Sequence, residues 1–505
     1  MPRSPRYVLA IDLGGSRVRC AIVDLSGRIA GQATAEWAPE SPPDLAPMGK
    51  RYDPKLTWRL IARLCRGALL EAKVGARDVV AVSATSQREG IALLDAEGRE
   101  VYLGPNSDAR AFFEGQAIDE AHSDEVYRVT GHGPSLLLAP AKLRWHQAQR
   151  PDVFERARTV MSLDAWVTYR LSGARAMERT SACECGLVDV RSRGWALPLL
   201  STLGLPDVLP ALASSGDVIG KVTTDAARAT GLARDTPVVA AGPDTQCGLL
   251  GMGVTHSGQV GIVAGSTAPV QMVLDKPRLD RERRTWTGLH VLDRRWVLEA
   301  NAGDAGGAYA WAVNMLLGTS DATRFALADR LMAKAPAGGN GVLAYLGPRK
   351  ADMRDLGPRF GGWLFPTPFA AGAVERGSLI RAAIENLAYA LKSNLSLVEE
   401  VSRGQVSTVA VGGGLVRSAT FCKVLAAVLN REMRVPRQHE VTALGAAMAA
   451  AVGSGAYATL AEAAQVMAGR QRVVAPDELL ALEYEEHFER WRAVGEALKG
   501  LGEYM

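Results

Sequence analysis

One pattern, in which a strand, a glycine-containing turn and a second strand follow each other, occurs twice in this chain. The first copy covers 8–22 around the turn Gly14-Gly15-Ser16, and the second covers 258–274 around Gly265-Ser266-Thr267. Apolar residues alternate with other residues beside each turn, as in a half-buried strand. The repetition predicts that an α/β domain is duplicated.

A second repeated element supports the duplication. Residues 238–242 form an apolar run that ends in glycine and precedes a helix expected from about 245, and residues 409–414 do the same before a helix expected from about 418. A chain of 505 residues is also too long for one hydrophobic core. We expect an N-terminal domain at 1–253, a second domain at 254–455 and a C-terminal helical extension at 456–505, packed on the second domain.

Composition places the chain among globular proteins. The apolar fraction is 48%, the charged fraction is 22% and the formal net charge is +4. No run of five like charges occurs, so a mixed solvated surface is favoured over a nucleic-acid partner. The six cysteines are dispersed, which predicts buried thiols in a reducing compartment. Without a signal peptide or an apolar run of spanning length, a cytoplasmic protein without a membrane partner is expected.

Two aspartates stand where strands end. Asp12 precedes the first glycine turn, where a carboxylate can hold Mg²⁺ through water while backbone N–H groups close on phosphate oxygens, although such a residue can also simply form the turn. Asp244 opens a helix after residues 238–242. It could be the helix N-cap, or it could accept the proton of a hydroxyl during phosphoryl transfer.

Polar side chains follow the strand expected at 79–82. Arg88 and Glu89 place a bidentate donor beside a bidentate acceptor, the pair that neighbouring sugar hydroxyls need, but a surface salt bridge explains them equally well at this stage. Asn106, Asp108 and Arg110 form a similar polar set and are equally ambiguous.

Taken in order, these segments resemble the FGGY carbohydrate kinases, and the resemblance covers nearly the whole chain. The residues that carry it are Asp12-Leu13-Gly14-Gly15-Ser16, Arg19, Gln87-Arg88-Glu89, Asp108-Ala109-Arg110, Lys142-Leu143-Arg144-Trp145, Asp164, Leu171-Ser172-Gly173, Gly242-Pro243-Asp244, Gly265-Ser266-Thr267, Gly306-Gly307, Gly412-Gly413-Gly414 and 440–445. The family implies two ribonuclease-H-like domains of the actin-like ATPase fold with an interdomain cleft, and closure that excludes water.

The resemblance also implies roles. Asp244 corresponds to the general base and contributes with Asp12 to the Mg²⁺ site. The sugar or polyol would be bound by Gln87, Arg88, Glu89, Asn106, Asp108, Asp244 and Thr245. ATP would be bound by Gly14, Gly15, Ser16, Arg19, Gly265, Ser266, Thr267, Gly306, Gly307, Gly412, Gly413, Gly414 and Ser418. A homodimer is also suggested by the family.

Departures from the glycerol kinase pattern narrow the range of candidate substrates. Asn106 stands where those enzymes have a tryptophan, Leu137 where they have a tyrosine, and Thr245 where they have a glutamine. Glycerol is therefore not expected. The segments 83–91, 106–110, 162–166 and 244–246 look most like autoinducer-2 kinases, which phosphorylate a linear dihydroxy-dione. Gly15 and Phe421 depart from that pattern.

Three other functions remain open from the sequence. The first is a pentulose kinase of the xylulokinase or ribulokinase type. The second is a non-catalytic sugar or nucleotide sensor that kept the fold. The third is an actin-like or chaperone-like ATPase, which would need no sugar-binding pair such as Arg88 and Glu89.

Overall fold

The computed structural model describes residues 6–321, 323–355, 357, 359–367 and 374–501. These residues form two compact units. The first unit takes the described residues within Met1–Ser257, Val273–Val297 and Glu440–Gly469, and the second takes those within Gly258–Met272, Leu298–His439 and Arg470–Met505. Segments 273–297 and 440–469 thus group with the first unit. The sequence domains 1–253, 254–455 and 456–505 stay a prediction, and their ends at 1–5 and 502–505 lie outside the described residues.

The strands are short and are numbered in chain order. They are β1 (Tyr7–Leu13), β2 (Arg17–Asp24), β3 (Ile29–Glu36), β4 (Val79–Ser86), β5 (Ile91–Leu94), β6 (Glu100–Gly104), β7 (Thr159–Ser162), β8 (Ala176–Glu178), β9 (Ala211–Ala213), β10 (Val218–Lys221), β11 (Pro237–Ala240), β12 (Gln259–Val263), β13 (Thr267–Leu274), β14 (Trp286–Leu289), β15 (Trp296–Asp304), β16 (Leu343–Tyr345), β17 (Gly362–Leu364), β18 (Thr408–Gly412), β19 (Met433–Pro436) and β20 (Gln471–Val474).

Helices alternate with these strands along most of the chain. They are α1 (Pro54–Ala72), α2 (Phe112–Thr130), α3 (Ala139–Gln149), α4 (Pro151–Phe154), α5 (Leu163–Ser172), α6 (Arg179–Glu184), α7 (Leu197–Thr202), α8 (Thr224–Thr230), α9 (Asp244–Gly251), α10 (Gly306–Leu317), α11 (Arg324–Lys334), α12 (Arg376–Ser402), α13 (Ala419–Leu429), α14 (Val441–Gly453), α15 (Leu460–Met467) and α16 (Glu478–Lys499). Short 3-10 helices lie at Ala76–Asp78, Ser135–Leu137, Ala337–Gly341 and Gly414–Arg417.

The main sheet of the first unit has the order β10-β11-β4-β1-β2-β3. Strands β1, β2 and β3 pair antiparallel in sequence, whereas β4 joins β1 in parallel and β11 joins β4 in parallel. Strand β1 is buried on both faces: Leu9 and Ile11 enter one apolar cluster, while Val8 and Ala10 enter another that includes residues of α14 and α15. Because both faces are covered, β1 is apolar almost throughout.

The second unit contains a sheet with the same plan. Six consecutive strands of this sheet lie in the order β15-β13-β12-β18-β19-β20. Strand β12 pairs antiparallel with β13 and parallel with β18, β18 pairs parallel with β19, and β19 pairs antiparallel with β20. Each of these six strands therefore has a counterpart in the first sheet, from β1 and β12 at the centre to β10 and β20 at one edge. The predicted duplication is confirmed.

One detail of the predicted duplication is wrong. The sequence pairs 238–242 with 409–414, that is, β11 with β18. In the sheets, β18 lies beside β12 as β4 lies beside β1, so the counterpart of β18 is β4, and the counterpart of β11 is β19. An apolar run that ends in glycine before a helix is common to most strand-to-helix connections of α/β sheets, and so it does not mark a unique position.

Three smaller expectations can be compared with the structure. Tyr484, Phe488 and Trp491 are buried along one face of α16, as predicted for a packed C-terminal helix. All six cysteines are free and buried, also as predicted. No helix among the described residues has both the length and the apolar character needed to cross a membrane.

Candidate active site

The first glycine turn presents a carboxylate beside a guanidinium. Asp12 in β1 lies opposite Arg19 in β2, and Arg19 Nη1 is 3.3 Å from Asp12 Oδ2 and 2.7 Å from Glu440 Oε2. Burial raises the pKa of Asp12 to about 6, although Arg19 opposes that rise. Gly15 and Ser16 are exposed in the turn, so their backbone N–H groups are accessible to a ligand.

Asp244 begins α9 at the carboxyl end of β11. Its Oδ1 accepts a hydrogen bond of 2.8 Å from the backbone N–H of Thr245. Pro243 occupies the N-cap position, and Asp244 is the first helical residue, so the N-cap alternative for Asp244 is wrong. Asp244 as a residue is half-buried, and burial of its carboxyl raises the pKa to about 7.

Three charged groups surround Asp244 and influence its proton affinity. The Arg88 guanidinium lowers the pKa of Asp244, whereas the carboxylates of Asp12 and Glu89 raise it. The first unit therefore brings the predicted base, the predicted metal-associated carboxylate and the predicted substrate-binding pair into one electrostatic environment. A carboxyl that titrates near neutral pH is suited to accept a proton at physiological pH.

Arg88 and Glu89 do not form a surface ion pair. Each is 8% exposed, and Arg88 Nη1 lies 2.9 Å from Glu184 Oε2, while Arg88 Nε lies 3.6 Å from Glu89 Oε1. Glu89 has a φ of 58°, in the left-handed region, and the buried Lys142 donates to its carbonyl oxygen at 2.7 Å. The surface alternative is therefore wrong, and the chain holds both side chains at a specific turn after β4.

Three other predicted substrate-binding residues support the loops of the site. Gln87 Nε2 donates to the Tyr52 hydroxyl at 3.1 Å, and Gln87 Oε1 accepts from the backbone N–H of Asn106 at 3.3 Å. Asp108 is 1% exposed and accepts hydrogen bonds from Lys50 N at 2.8 Å, Arg110 Nε at 2.7 Å and the Tyr102 hydroxyl. All of these Asp108 contacts are internal, so a direct contact between Asp108 and a substrate stays a prediction.

Sequence reasoning missed a buried set of side chains around Arg88. Glu184 at the end of α6 pairs with Arg88, and its Oε1 accepts from Gln246 Nε2 at 2.6 Å. His132 Nε2 lies 3.5 Å from Glu184 Oε2. Burial alone would raise the pKa of Glu184, but Arg88 and His132 lower it below its usual value. No local pattern in the sequence marks Glu184, because its partners are distant along the chain.

The glycine segments of the second unit approach one another closely. The turn 265–267 joins β12 to β13, and the backbone N–H groups of Ala305 and Gly306 donate to Ser266 O and Gly265 O at 2.8 and 3.1 Å. A Cβ atom at Gly306 would stand 2.4 Å from Gly265 O. Gly307 follows in the first turn of α10. The close approach at Gly306 therefore requires a residue without a side chain. A contact of these segments with a nucleotide stays a prediction.

The strand end at β18 is built in the same way. Gly412 ends the strand, and Gly413 has a φ of +99°, with its missing Cβ position only 2.6 Å from Ala264 O. Gly414 begins a 3-10 helix, and Ser418 caps α13 by accepting from Phe421 N at 2.9 Å. The Ser418 hydroxyl also donates to Asp329 Oδ1 at 2.5 Å. Its contact with a nucleotide stays a prediction.

The donor set for a metal ion is small. Among the described residues, no cluster of three or more histidine, cysteine, aspartate or glutamate side chains could hold a metal ion. Asp12 and Asp244 supply two carboxylates whose burial disfavours their charge. A site of one or two carboxylates fits Mg²⁺, which keeps several water ligands and is bound together with substrate phosphates.

Comparison with known proteins identifies the family. The sequence models of the FGGY family of carbohydrate kinases match residues 7–251 with the N-terminal domain and residues 260–454 with the C-terminal domain. This chain belongs to the FGGY carbohydrate kinases. An autoinducer-2 kinase of Yersinia pseudotuberculosis is 31% identical over 506 residues, covering 97% of this chain and 94% of the relative.

Solved structures support the fold of this FGGY kinase. A xylulose kinase of Rhodospirillum rubrum superposes with a TM-score of 0.83 at 24% identity, covering 99% of this chain and 100% of that one. A glycerol kinase of Plasmodium falciparum, solved with ADP, gives 0.81 at 17% identity, covering 98% of each chain. The predicted two-domain actin-like fold is confirmed. The chain is an ATP-dependent sugar kinase that acts on a small sugar substrate.

Proposed function

We propose that this FGGY kinase transfers the γ-phosphoryl group of ATP to a primary hydroxyl of a small linear substrate, a dihydroxy-dione or a related sugar or polyol. The observation that carries the proposal is Asp244, whose pKa lies at about 7 beside Arg88 and Asp12. The segments most similar to autoinducer-2 kinases include Asp244-Thr245-Gln246, and the relative at 31% identity carries that name.

The proposed reaction is an in-line displacement. The substrate hydroxyl oxygen forms a bond to the γ-phosphorus, the bond from that phosphorus to the β–γ bridging oxygen breaks, and ADP leaves. Asp244 accepts the hydroxyl proton as the bond forms. Arg88 and Glu89 orient the neighbouring hydroxyls, and Arg19 lies beside Asp12 to offset negative charge. Such positioning accounts for much of the rate enhancement in enzymatic phosphoryl transfer.

Mg²⁺ is proposed as the metal of this reaction. When bound, it would neutralise charge on the ATP phosphates. Asp12 and Asp244 are the residues that would hold it, directly or through water. In the first unit, the exposed turn residues Gly15 and Ser16 would bind phosphate oxygens through backbone N–H groups. In the second unit, the glycine segments 265–267, 306–307 and 412–414 would bind the nucleotide.

The test is ADP release by the purified full chain with MgATP and a panel of linear substrates. The panel contains dihydroxypentanedione, xylulose, ribulose, the matching pentitols and glycerol. We expect the highest kcat/KM for dihydroxypentanedione, low activity with glycerol, and no activity with excess EDTA. A preference for xylulose or ribulose would favour the pentulose-kinase alternative. ADP release that no sugar changes would contradict the proposal and favour an ATPase, and no ADP release with any substrate would contradict it and favour a sensor.

A further inference from the structure

Trp37, the residue that follows β3, holds the first glycine turn from one side. Its indole Nε1 donates to Gly14 O at 2.8 Å, and its backbone N–H donates to Ser16 O at 3.2 Å. Trp37 is half-buried, whereas Gly15 and Ser16 are exposed. The two hydrogen bonds therefore fix one carbonyl group before Gly15 and one after it.

The contact with Gly14 decides where a backbone N–H of the turn points. In a planar trans peptide, the C=O group and the N–H group that follows it point in opposite directions. With Gly14 O held by Trp37, the Gly15 N–H points away from Trp37, where it can bind a phosphate oxygen. Glycine on both sides leaves this peptide free to rotate unless it is held. A rotated peptide would present its carbonyl oxygen, which carries partial negative charge, to the phosphate.

The Trp37 ring is itself held by Tyr52. The two rings are stacked, with centroids 4.0 Å apart and planes inclined by 1°. Tyr52 is 4% exposed, and its hydroxyl accepts from Gln87 Nε2 at 3.1 Å. Gln87 Oε1 in turn accepts from the backbone N–H of Asn106 at 3.3 Å. The stacked pair therefore joins the glycine turn to the loops that carry the predicted substrate-binding residues.

The loop 38–51 connects the two stacked residues and fixes their separation. An antiparallel bridge between Glu40 and Arg51 brings the two ends of the loop together. Near its end, Lys50 N donates to Asp108 Oδ1 at 2.8 Å. Asp108 is almost fully buried, so this contact anchors the loop on the body of the first unit. The internal contacts of Asp108 thus help to hold the aromatic pair in place.

We propose that Trp37 is a positioning residue that turns the Gly15 N–H toward phosphate, and that Tyr52, stacked on it, couples the glycine turn to Gln87. The inference rests on the proposed function and deepens it, because it names the residues that prepare the turn for ATP. The indole N–H holds the peptide, and the stack holds the indole. A donor that is no longer held toward a charged phosphate loses a charge-assisted hydrogen bond, which corresponds to about tenfold in affinity.

The first test is Trp37→Phe, which keeps an aromatic ring on Tyr52 and removes the donor to Gly14 O. In the full chain, with the best substrate of the panel at saturation, KM for ATP should rise about tenfold while KM for that substrate stays unchanged. Trp58→Phe is the matched control and should change neither KM, because Trp58 is a half-buried tryptophan of α1 in the same unit. An unchanged KM for ATP in Trp37→Phe would overturn the role of Trp37.

Two further variants test the stack. Tyr52→Phe keeps the ring and removes the acceptor of Gln87, so KM for the substrate should rise about fivefold while KM for ATP stays unchanged. Trp37→Leu removes both the donor and the ring, so KM for ATP should rise about tenfold and KM for the substrate about threefold to tenfold. Tyr169→Phe, which loses a hydroxyl bonded to Gly98 O at 2.8 Å, is the control and should change neither. An unchanged KM for the substrate in either stack variant would overturn the coupling role of Tyr52.

Failure of the inference and failure of the proposed function give different results. A variant that only loses folded protein has a lower apparent kcat with both KM values unchanged, and where Trp37→Leu does not fold, the more conservative Trp37→Phe and Tyr52→Phe test both roles. Calorimetry of MgATP binding to the full chain needs no turnover, and Trp37→Phe should raise that dissociation constant about tenfold. A wild type that phosphorylates no substrate would overturn the proposed function. Calorimetry would then decide the role of Trp37, because weaker binding by Trp37→Phe supports it and equal binding overturns it.

Discussion

Replacing Asp244 by asparagine is expected to stabilise the ligand-free protein while it removes catalysis. In the folded chain the pKa of Asp244 is raised from 3.8 to about 7, mainly because the carboxyl is buried. At pH 8 Asp244 is ionised in the folded protein, and its buried charge lowers the stability of the fold. Asparagine has the same shape as the protonated aspartate and carries no charge, so the substitution removes the free-energy cost of the buried charge.

The expected gain in stability of Asp244→Asn follows from the shift in the pKa of Asp244. A rise of about 3 pKa units at about 1.36 kcal/mol per unit corresponds to about 4 kcal/mol at pH 8, which is an upper value because Asp244 is only half-buried and solvent screens its charge. The folded state binds the proton more tightly than the unfolded state, so the free energy of unfolding of the wild type falls as pH rises from 3.8 to about 7. At pH 5 the advantage of the variant shrinks to about 1.5 kcal/mol.

The assay is thermal and urea unfolding of wild type and Asp244→Asn, without nucleotide and with EDTA, at pH 8 and pH 5. Asp225, an exposed residue in the first turn of α8, provides the matched control, and Asp225→Asn should change stability by less than about 0.5 kcal/mol. An Asp244→Asn protein that is less stable than wild type at pH 8 would refute the reasoning, because a structural role for the carboxylate predicts that sign.

Two further predictions concern the second unit. Gly413→Ala should raise the KM for ATP at least about tenfold, because φ is +99° and the new Cβ would stand 2.6 Å from Ala264 O. Gly362→Ala is the control and should leave the KM unchanged, because its Cβ would meet no atom within 4 Å. The KM values are measured at varied ATP concentration, and equal values for the two variants would contradict the argument. Tyr484→Phe should lower the free energy of unfolding by about 1–3 kcal/mol, because the Tyr484 hydroxyl bonds to Arg381 and Glu385 at 2.5 and 2.6 Å. Leu482→Ala, an exposed position on the same helix, is the control and should not lower it. If urea unfolding shows no larger loss for Tyr484→Phe than for Leu482→Ala, the contacts do not stabilise the fold.

The duplicated hairpins could be predicted because their signal is local. A glycine turn between alternating strands specifies its own geometry, and Asp12 and Arg19 fall opposite each other in the pairing that such a turn imposes. The buried face of α16 was predictable for the same reason, since Tyr484, Phe488 and Trp491 repeat at helical spacing.

Contacts between distant segments could not be predicted in this way. Glu184 reaches Arg88 and Gln246 only because α6, the end of β4 and α9 meet in the folded first unit. Glu440 stood in a recognised motif, but its pairing with Arg19 depends on the return of 440–469 to the first unit. The match of β11 with β18 failed because a shared local pattern does not report position in a sheet.

The central claim is that Asp244 removes the proton from the substrate hydroxyl, and the most direct test is the pH dependence of kcat/KM for the best sugar at saturating MgATP. Because Asp244 must be ionised to act, kcat/KM of the wild type should fall tenfold per pH unit once the pH drops below the pKa of Asp244 in the MgATP-bound enzyme. Asp244→Asn should lose about 10²- to 10⁴-fold in rate and show no such limb. An Asp244→Asn enzyme that keeps the same limb, or more than about a tenth of the wild-type turnover, would contradict the claim.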